Sequence, residues 1–157
     1  MRKRIIKQDT QGVSPVDQNW LDLECLAQVE VTSEDREHPI ESALIPNTRS
    51  GWRAEQPGQQ TVRLLFDKPQ RVRRIRLVFH EDVQERTHEF VLRWSSDGGQ
   101  SYRKIARQQY NFSPPDTTRE FEDYTGDFDG LTVLELSIVP DIRGGSARAS
   151  VEQLYLA

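Results

Sequence analysis

The feature that most constrains the fold is a series of short segments in which apolar and polar residues alternate. In Thr61 to Phe66, for example, Val62, Leu64 and Phe66 share one face of an extended chain. Alternation with a period of two predicts β-strands that bury one face. The same pattern predicts strands at residues 27–32, 61–66, 72–79, 89–94, 101–106, 131–139 and 147–156.

Turn-forming residues separate these segments. Ser96 to Gly99 predicts a hairpin turn, because Asp-Gly and Gly-Gly supply the positive φ that such turns need. The charged stretch 33–39 and the proline-containing stretch 108–118 predict loops, and Ile40 to Leu44 predicts one helical turn that Pro46 ends. Many short strands with turns between them are typical of a β-sandwich or jelly roll. We therefore predict an all-β jelly-roll sandwich with about eight main strands and little helix.

The length and composition suit one such domain. The chain has 157 residues, of which 35% are hydrophobic and 29% are charged. A two-layer sandwich fits this polar composition, since each strand buries only one of its faces. Residues 1–18 are polar and lack periodicity, which predicts an N-terminal arm or outer strand. Residues 19–157 are predicted to form a single domain.

Charge and cysteine content exclude several classes of function. The net charge is −4, which does not favour a nucleic-acid partner. The single cysteine, Cys25, cannot form an internal disulfide, and its Leu-Glu-Cys-Leu setting predicts a small buried side chain. No apolar run approaches the length of a membrane span, and no apolar stretch follows the charged start. We therefore expect a cytoplasmic protein without a membrane span.

The sequence carries no convincing catalytic motif. The pairs His80-Glu81 and His88-Glu89 invite comparison with zinc proteases, which need a second histidine four residues after the first. Gln84 and Leu92 occupy those positions. No Gly-x-Ser-x-Gly elbow supports a nucleophilic serine. We therefore expect a protein that is not an enzyme.

Two charged segments are predicted to be structural. Arg71, Arg73, Arg74 and Arg76 would divide between two faces of a strand, which favours an ion-paired sheet surface over one basic patch. Asp127 to Gly130 is similar to the start of a calcium loop, but the ligand spacing of such loops is missing. We predict a turn there.

Several motifs occur in an order that resembles one known family. A strand at Val29 to Glu34 precedes Ser42-Ala43-Leu44 and Gly51-Trp52, and Phe90 to Gly98 and Val151 to Leu156 follow them. This succession, from about Ala27 to the end, resembles the discoidin-like (coagulation factor 5/8 type C) family, whose fold is galactose-binding domain-like. The resemblance implies an eight-stranded jelly roll. It also implies that loops at one end of the jelly roll bind glycans, lipids or protein partners.

The resemblance also bears on calcium. Many relatives hold a structural calcium ion with an Asp-Gly loop and a glutamate of the last strand. Here Ile45 and Pro46 replace the Asp-Gly pair, and Gln153 stands where the glutamate would be. Calcium prefers several oxygen ligands with net negative charge. We therefore expect no cofactor, with Asn47, Ser50 and Gln153 as the remaining oxygen donors at that position.

A ligand site is predicted in the loops. Gln109-Tyr110-Asn111-Phe112 combines aromatic rings, which pack on the apolar face of a sugar, with amides that bond its hydroxyls. The other side chains that could share this end are Arg36, His38, Glu81 and Arg86. The resemblance implies a histidine, an arginine, an asparagine and an aromatic residue, which loop position matches to His38, Arg86, Asn111 and Phe112.

Two functions fit these observations. The first is a non-catalytic binding module that takes a carbohydrate through the loops at one end of the sandwich. The second is an intracellular adaptor that uses the same fold to bind a protein. The aromatic-plus-amide segment favours the sugar, and the apparent absence of a secretion signal favours the protein partner.

Overall fold

The computed structural model describes residue 4, residues 19–48 and residues 50–157, and within these ranges it contains eight strands and two helices. The helices are α1 (Leu23–Leu26) and α2 (Glu41–Leu44). The strands are β1 (Ala27–Val31), β2 (Trp52–Pro57), β3 (Gln60–His80), β4 (Arg86–Ser95), β5 (Arg103–Phe112), β6 (Arg119–Val139), β7 (Arg148–Val151) and β8 (Gln153–Leu156). The predicted all-β sandwich is confirmed. None of the helices in these ranges is long and apolar enough to cross a membrane. The arm predicted at 1–18 falls outside the described residues, apart from Arg4.

All strand pairs are antiparallel. The main sheet has the order β1-β3-β6-β4-β5, with β8 paired to β3, and β2 pairs with β7 in a separate two-stranded sheet. The 21-residue strands β3 and β6 form one ladder that runs from Gln60 opposite Ile138 to His80 opposite Arg119. Strand β1 pairs with the first part of β3, and β8 pairs with its last part. This ladder therefore connects all the strands of the main sheet.

Several predicted boundaries were wrong, and the long ladder explains most of them. The strands predicted at 61–66 and 72–79 are one strand, with register irregularities between Leu65 and Arg74. Strand β6 begins at Arg119, so the turn predicted at 127–130 lies within a strand. Ion pairs join the two strands where apolar alternation is weak. Arg71 Nε lies 3.0 Å from Asp127 Oδ1, and Arg74 Nε lies 2.9 Å from Asp123 Oδ1. The ion-paired surface predicted for this arginine cluster is confirmed for these two residues.

Three other predictions need correction. Residues 108–112 belong to β5 and not to a loop, because they pair with β4 from Phe90 back to Arg86. The closing segment 147–156 is divided between β7 and β8, which belong to different sheets. Strand β2 was not predicted at all. Cys25 is exposed and not buried, since it lies on the outer side of α1.

The inward faces of the strands form the core. Trp52, Phe79 and Phe90 are among its largest fully buried side chains. Gly51 allows β2 and β7 to approach each other, because a Cβ atom there would lie 2.7 Å from the Val151 carbonyl oxygen. Its φ of 63° is also one that favours glycine. The close contact places the start of β2 beside the end of β7.

A polar cluster is enclosed between β4 and the first half of β6. His88 Nε2 lies 2.6 Å from Glu120 Oε1, and both side chains are almost fully buried. Burial, followed by the charge of Arg86, lowers the pKa of His88 to about 3, so the ring is neutral. Burial, followed by the neighbouring Glu120, raises the pKa of Glu122 to about 7. Burial and a neighbouring carboxyl group both disfavour the ionised form of a carboxyl, which is why its pKa rises.

We predict that Glu122→Gln changes the pH dependence of stability. The pKa of Glu122 is raised in the folded state, so its stabilisation is fully present below about pH 4.5 and is lost as pH rises through about 7. The variant, neutral at every pH, should therefore exceed the wild type in free energy of unfolding by about 2 kcal/mol at pH 8 and by little at pH 5. Urea denaturation at the two pH values measures this. An identical pH dependence in both proteins would contradict the prediction.

Candidate functional site

Four loops meet at one end of the sandwich. They connect β1 to β2, β3 to β4, β5 to β6 and β6 to β7. Backbone hydrogen bonds hold this end together, from the amide of Glu81 to the Thr118 carbonyl, of Ile142 to the Thr87 carbonyl and of Asp35 to the Arg53 carbonyl, each 2.8 Å long. The outward face of the β2–β7 sheet adjoins these loops. It forms the floor of two neighbouring clefts.

The inner cleft has a volume of about 80 Å³. Its lining consists of His38, Ser50, Trp52, Arg53, His80, Ser150, Val151 and Glu152. Trp52 is almost fully buried, and its Nε1 donates to the Ser33 carbonyl at 3.0 Å, so it supports the floor from below. His38 Nδ1 lies 3.2 Å from the Ser50 carbonyl oxygen. Because a carbonyl oxygen only accepts, Nδ1 is the donor in this hydrogen bond.

The outer cleft is larger, with a volume of about 240 Å³. Its lining consists of Arg53, Glu81, Val83, Gln84, Ser146, Arg148 and Ser150. It shares Arg53 and Ser150 with the inner cleft, and these two residues are directly opposite each other on β2 and β7. Val83 is 84% exposed and is the apolar member of this lining. The two clefts are therefore one continuous polar surface that has room for about one or two sugar rings.

Arg86 supports this surface from beneath. Its side chain is only 2% exposed, and its Nε donates to Glu81 Oε1 at 2.6 Å. One terminal nitrogen donates to the Pro140 carbonyl at 2.9 Å, and the other lies 3.4 Å from Ser150 Oγ. The guanidinium group also lies 5.1 Å from the centre of the Phe112 ring. Arg86 thus joins the β3–β4 loop, the end of β6 and β7.

Glu81 is ionised in this setting. Burial opposes ionisation, but the Arg86 hydrogen bond and the amides of Val83 and Gln84 lower the pKa of Glu81 below its ordinary value. Both amides donate to Oε2, at 3.0 and 3.1 Å. These bonds fix the backbone of the β3–β4 loop, so the side chains of Val83 and Gln84 project from a rigid turn.

The structure separates the predicted site residues into three groups. His38 and Glu81 line the clefts. Arg86 is a buried support and lines neither cleft, which corrects its predicted place among exposed loop side chains. Arg36 is exposed in the β1–β2 loop but lines neither cleft.

The aromatic segment is also corrected. Phe112 is 0% exposed and lies 5.0 Å from the rings of both His88 and Tyr110, so it cannot stack on a ligand. Tyr110 is half-buried, and its hydroxyl donates to the Arg119 carbonyl at 3.0 Å. Asn111 is exposed on β5, where its Oδ1 accepts a hydrogen bond from Thr87 at 2.7 Å. The alternation of β5 turns Phe112 into the core and leaves Asn111 outside the clefts.

The residues considered for calcium lie on two parts of the chain, with Asn47 and Ser50 in the β1–β2 loop and Gln153 at the start of β8. Ser50 lines the inner cleft, whereas Gln153 pairs with Val78 inside the main sheet. Asn47 adopts a left-handed backbone with a φ of 74°. Within residues 19–48 and 50–157, no group of three or more His, Cys, Asp or Glu side chains could hold a metal ion. The expectation about calcium stays a prediction.

Sequence reasoning missed the residues that form the floor of the clefts, namely Arg53, Arg148 and Ser150. The signal was present as a short alternation, since Trp52 and Ala54 face the core on either side of Arg53. Ala149 and Val151 likewise face the core on either side of Ser150. Recognising β2 as a strand would have placed Arg53 on the outer face.

Comparison with solved structures shows a shared fold. The galactose complex of the family 32 carbohydrate-binding module of NanJ from Clostridium perfringens superposes with a TM-score of 0.62 and 16% identity, over 87% of this chain and 96% of that one. A module of the same family from C. perfringens, in complex with GalNAc-β-1,3-galactose, gives 0.65 and 15%, over 88% and 99%. The family 32 module of AlyQ, in complex with 4,5-unsaturated mannuronic acid, gives 0.54 and 15%, over 88% and 97%.

These likenesses establish the fold that the sequence motifs predicted, the galactose-binding-like jelly roll. No protein-family model matches the sequence, and no curated protein sequence matches it. The sequence identity between this chain and the three solved structures is 15–16%, so the likeness is one of fold. One fold supports many functions, so the function depends on the clefts themselves.

We predict that Arg86→Met destabilises the protein by about 3 kcal/mol, because it leaves the Glu81 carboxylate partly buried without its partner. Arg36→Met, an exposed arginine of the same end, should change the free energy of unfolding by less than about 0.5 kcal/mol. Chemical denaturation of both variants at neutral pH measures the difference. Equal, small effects would show that the buried ion pair does not support the loops.

Proposed function

We propose that this chain is a non-catalytic carbohydrate-binding module whose ligand lies in the two adjoining clefts. The observation that carries the proposal is the shared floor of Arg53 and Ser150, set on paired strands and surrounded by hydrogen-bonding side chains. A sugar needs several donors and acceptors in fixed positions, since its hydroxyls point in many directions. The paired strands and the loop fixed by Glu81 supply that rigidity.

The composition of the clefts supports a small polar ligand. His38, Gln84 and Ser146 offer a ring nitrogen, an amide and a hydroxyl around the floor. Val83 offers an apolar contact for the carbon face of a ring. The clefts are small, which suits one end or a short stretch of a glycan. The solved neighbours of the same fold hold galactose, GalNAc-β-1,3-galactose and an unsaturated mannuronic acid.

The carboxylates of the clefts favour binding over catalysis. Glycoside hydrolysis needs a general acid whose pKa is raised, together with a second carboxylate. The pKa of Glu81 is lowered by its bonds to Arg86 and to two amides. Glu152 is paired with Arg119 at 2.8 Å. Neither carboxylate is arranged as a proton donor to a glycosidic oxygen.

A glycan array tests the proposal. We expect the purified chain to bind a restricted set of glycans, and Arg53→Ala and Gln84→Ala each to weaken binding by about tenfold or more through lost hydrogen bonds. Arg36→Ala and Asn111→Ala serve as matched controls, because both remove exposed polar side chains outside the clefts. Melting temperatures of all four variants should stay close to that of the wild type.

Two outcomes would contradict the proposal. A folded wild-type chain that binds no glycan on the array would overturn the carbohydrate assignment. Loss of binding in Asn111→Ala with normal binding in Arg53→Ala would instead place the site at residues 109–112, where the sequence predicted a binding loop.

A further inference from the structure

The charged side chains that line the two clefts differ in how far they are paired with other charged groups. Arg53 and Arg148 contribute two cations, and Glu81 and Glu152 contribute two carboxylates. A count alone would make the surface neutral. The pairing of these groups shows that their charges are not equally available to a ligand.

Both carboxylates are neutralised by arginines that lie outside the clefts. Glu81 bonds to the buried Arg86 at 2.6 Å, and its other oxygen accepts two backbone amides. Glu152 Oε2 lies 2.8 Å from Arg119 in an ion contact that lacks hydrogen-bond geometry. A ligand therefore meets little uncompensated negative charge from these two side chains.

The two cations of the clefts are not neutralised in the same way. Arg53 is exposed and forms no salt bridge with any carboxylate of residues 19–48 and 50–157. Arg148 is 48% exposed, and its one carboxylate contact is Asp35 Oδ2 at 3.9 Å, which is beyond hydrogen-bonding distance. Two guanidinium groups thus face the same outer cleft with N–H donors that are not hydrogen-bonded to any carboxylate of the described residues.

We propose that the ligand is an acidic sugar, a hexuronic acid residue whose carboxylate binds Arg53, with Arg148 adding to the positive field. This inference rests on the proposed carbohydrate function and names the class of sugar. A guanidinium group presents a planar fork of N–H donors that matches the two oxygens of a carboxylate. Ser150, opposite Arg53 on β7, lies where it can bond a neighbouring hydroxyl.

The net charge of the whole chain is opposite in sign to this local positive charge. The protein has a net charge of −4, so it does not attract anions in general. A positive surface on an acidic protein must be built locally, as it is where Arg53 and Arg148 face the outer cleft. The likeness to a module solved with an unsaturated mannuronic acid shows that the fold accommodates such a ligand.

The matched ligands galactose and galacturonic acid test the inference, because they differ only at C6, which carries a hydroxymethyl group in one and a carboxylate in the other. Isothermal titration of the whole chain with methyl glycosides of both, and with short oligogalacturonides, gives the affinities. We expect the acidic member to bind about tenfold more tightly or better. This preference should fall as salt is raised, since exposed charges are screened.

Substitutions of Arg53 and of a control arginine show which side chain causes the preference for galacturonate. Arg53→Gln should remove most of the preference for galacturonate, because it should weaken the binding of galacturonate far more than the binding of galactose. Arg53→Lys should restore part of the preference, because it keeps the charge and loses the fork. Arg36→Gln, outside the clefts, should leave both affinities unchanged.

The outcomes are distinguishable. Equal or tighter binding of galactose would overturn the acidic-sugar inference and leave the carbohydrate function standing. Tight binding of sulfated galactose without binding of galacturonate would overturn the carboxylate assignment. Absence of binding to every sugar would overturn both proposals together, and an equal loss of both sugars in Arg53→Gln would show that Arg53 does not read the carboxylate.

Discussion

The antiparallel ladder between β3 and β6 is the constraint on which the rest of the structure depends. Each strand has 21 residues, and their pairing extends from Gln60 opposite Ile138 to His80 opposite Arg119. Every other strand of the main sheet pairs directly with this ladder, except β5, which pairs through β4. At the end of the ladder near His80, the chain continues into the β3–β4 loop. This end of the ladder lies beside the β2–β7 sheet. The Arg86–Glu81 pair then fixes that loop against the ends of β6 and β7.

The sequence predicted the apolar parts of the fold well and the polar parts poorly. Segments such as Thr61 to Phe66 alternate cleanly because one face is buried, and period-two patterns carry that information. Residues 119–130 carry Glu120, Glu122 and Tyr124 toward the interior and Phe121 toward solvent, which inverts the usual pattern. Cross-strand ion pairs stabilise this part of β6, and such pairs depend on a register that the sequence alone does not reveal. The prediction of a loop at residues 108–118 failed for a related reason, since pairing with β4 keeps Gln108 to Phe112 extended.

Of the side chains that the sequence assigned to a ligand site, only His38 and Glu81 line the clefts. Loop position indicated these two residues, because loops held by a rigid scaffold often carry binding side chains. Loop position failed for Phe112, because the alternation of β5 turns this side chain into the core. It also failed for Arg86, because its buried guanidinium group pairs with Glu81. Arg53 and Arg148 were missed since they lie on strands, and binding residues were sought in loops. Their importance follows from charge pairing, which requires distances: Glu81 and Glu152 have arginine partners within 2.8 Å, whereas Arg148 does not approach a carboxylate closer than 3.9 Å.

The central claim is that the surface over β2 and β7 binds the carboxylate of an acidic sugar. Its most direct test is a titration of isotopically labelled protein with a short oligogalacturonide, followed by the chemical shifts of the backbone amides. The account predicts that the largest shifts occur at Arg53, Gln84, Ser146, Arg148 and Ser150, which line the outer cleft. Shifts centred on Tyr110 and Asn111 of β5, with the cleft amides unchanged, would contradict it.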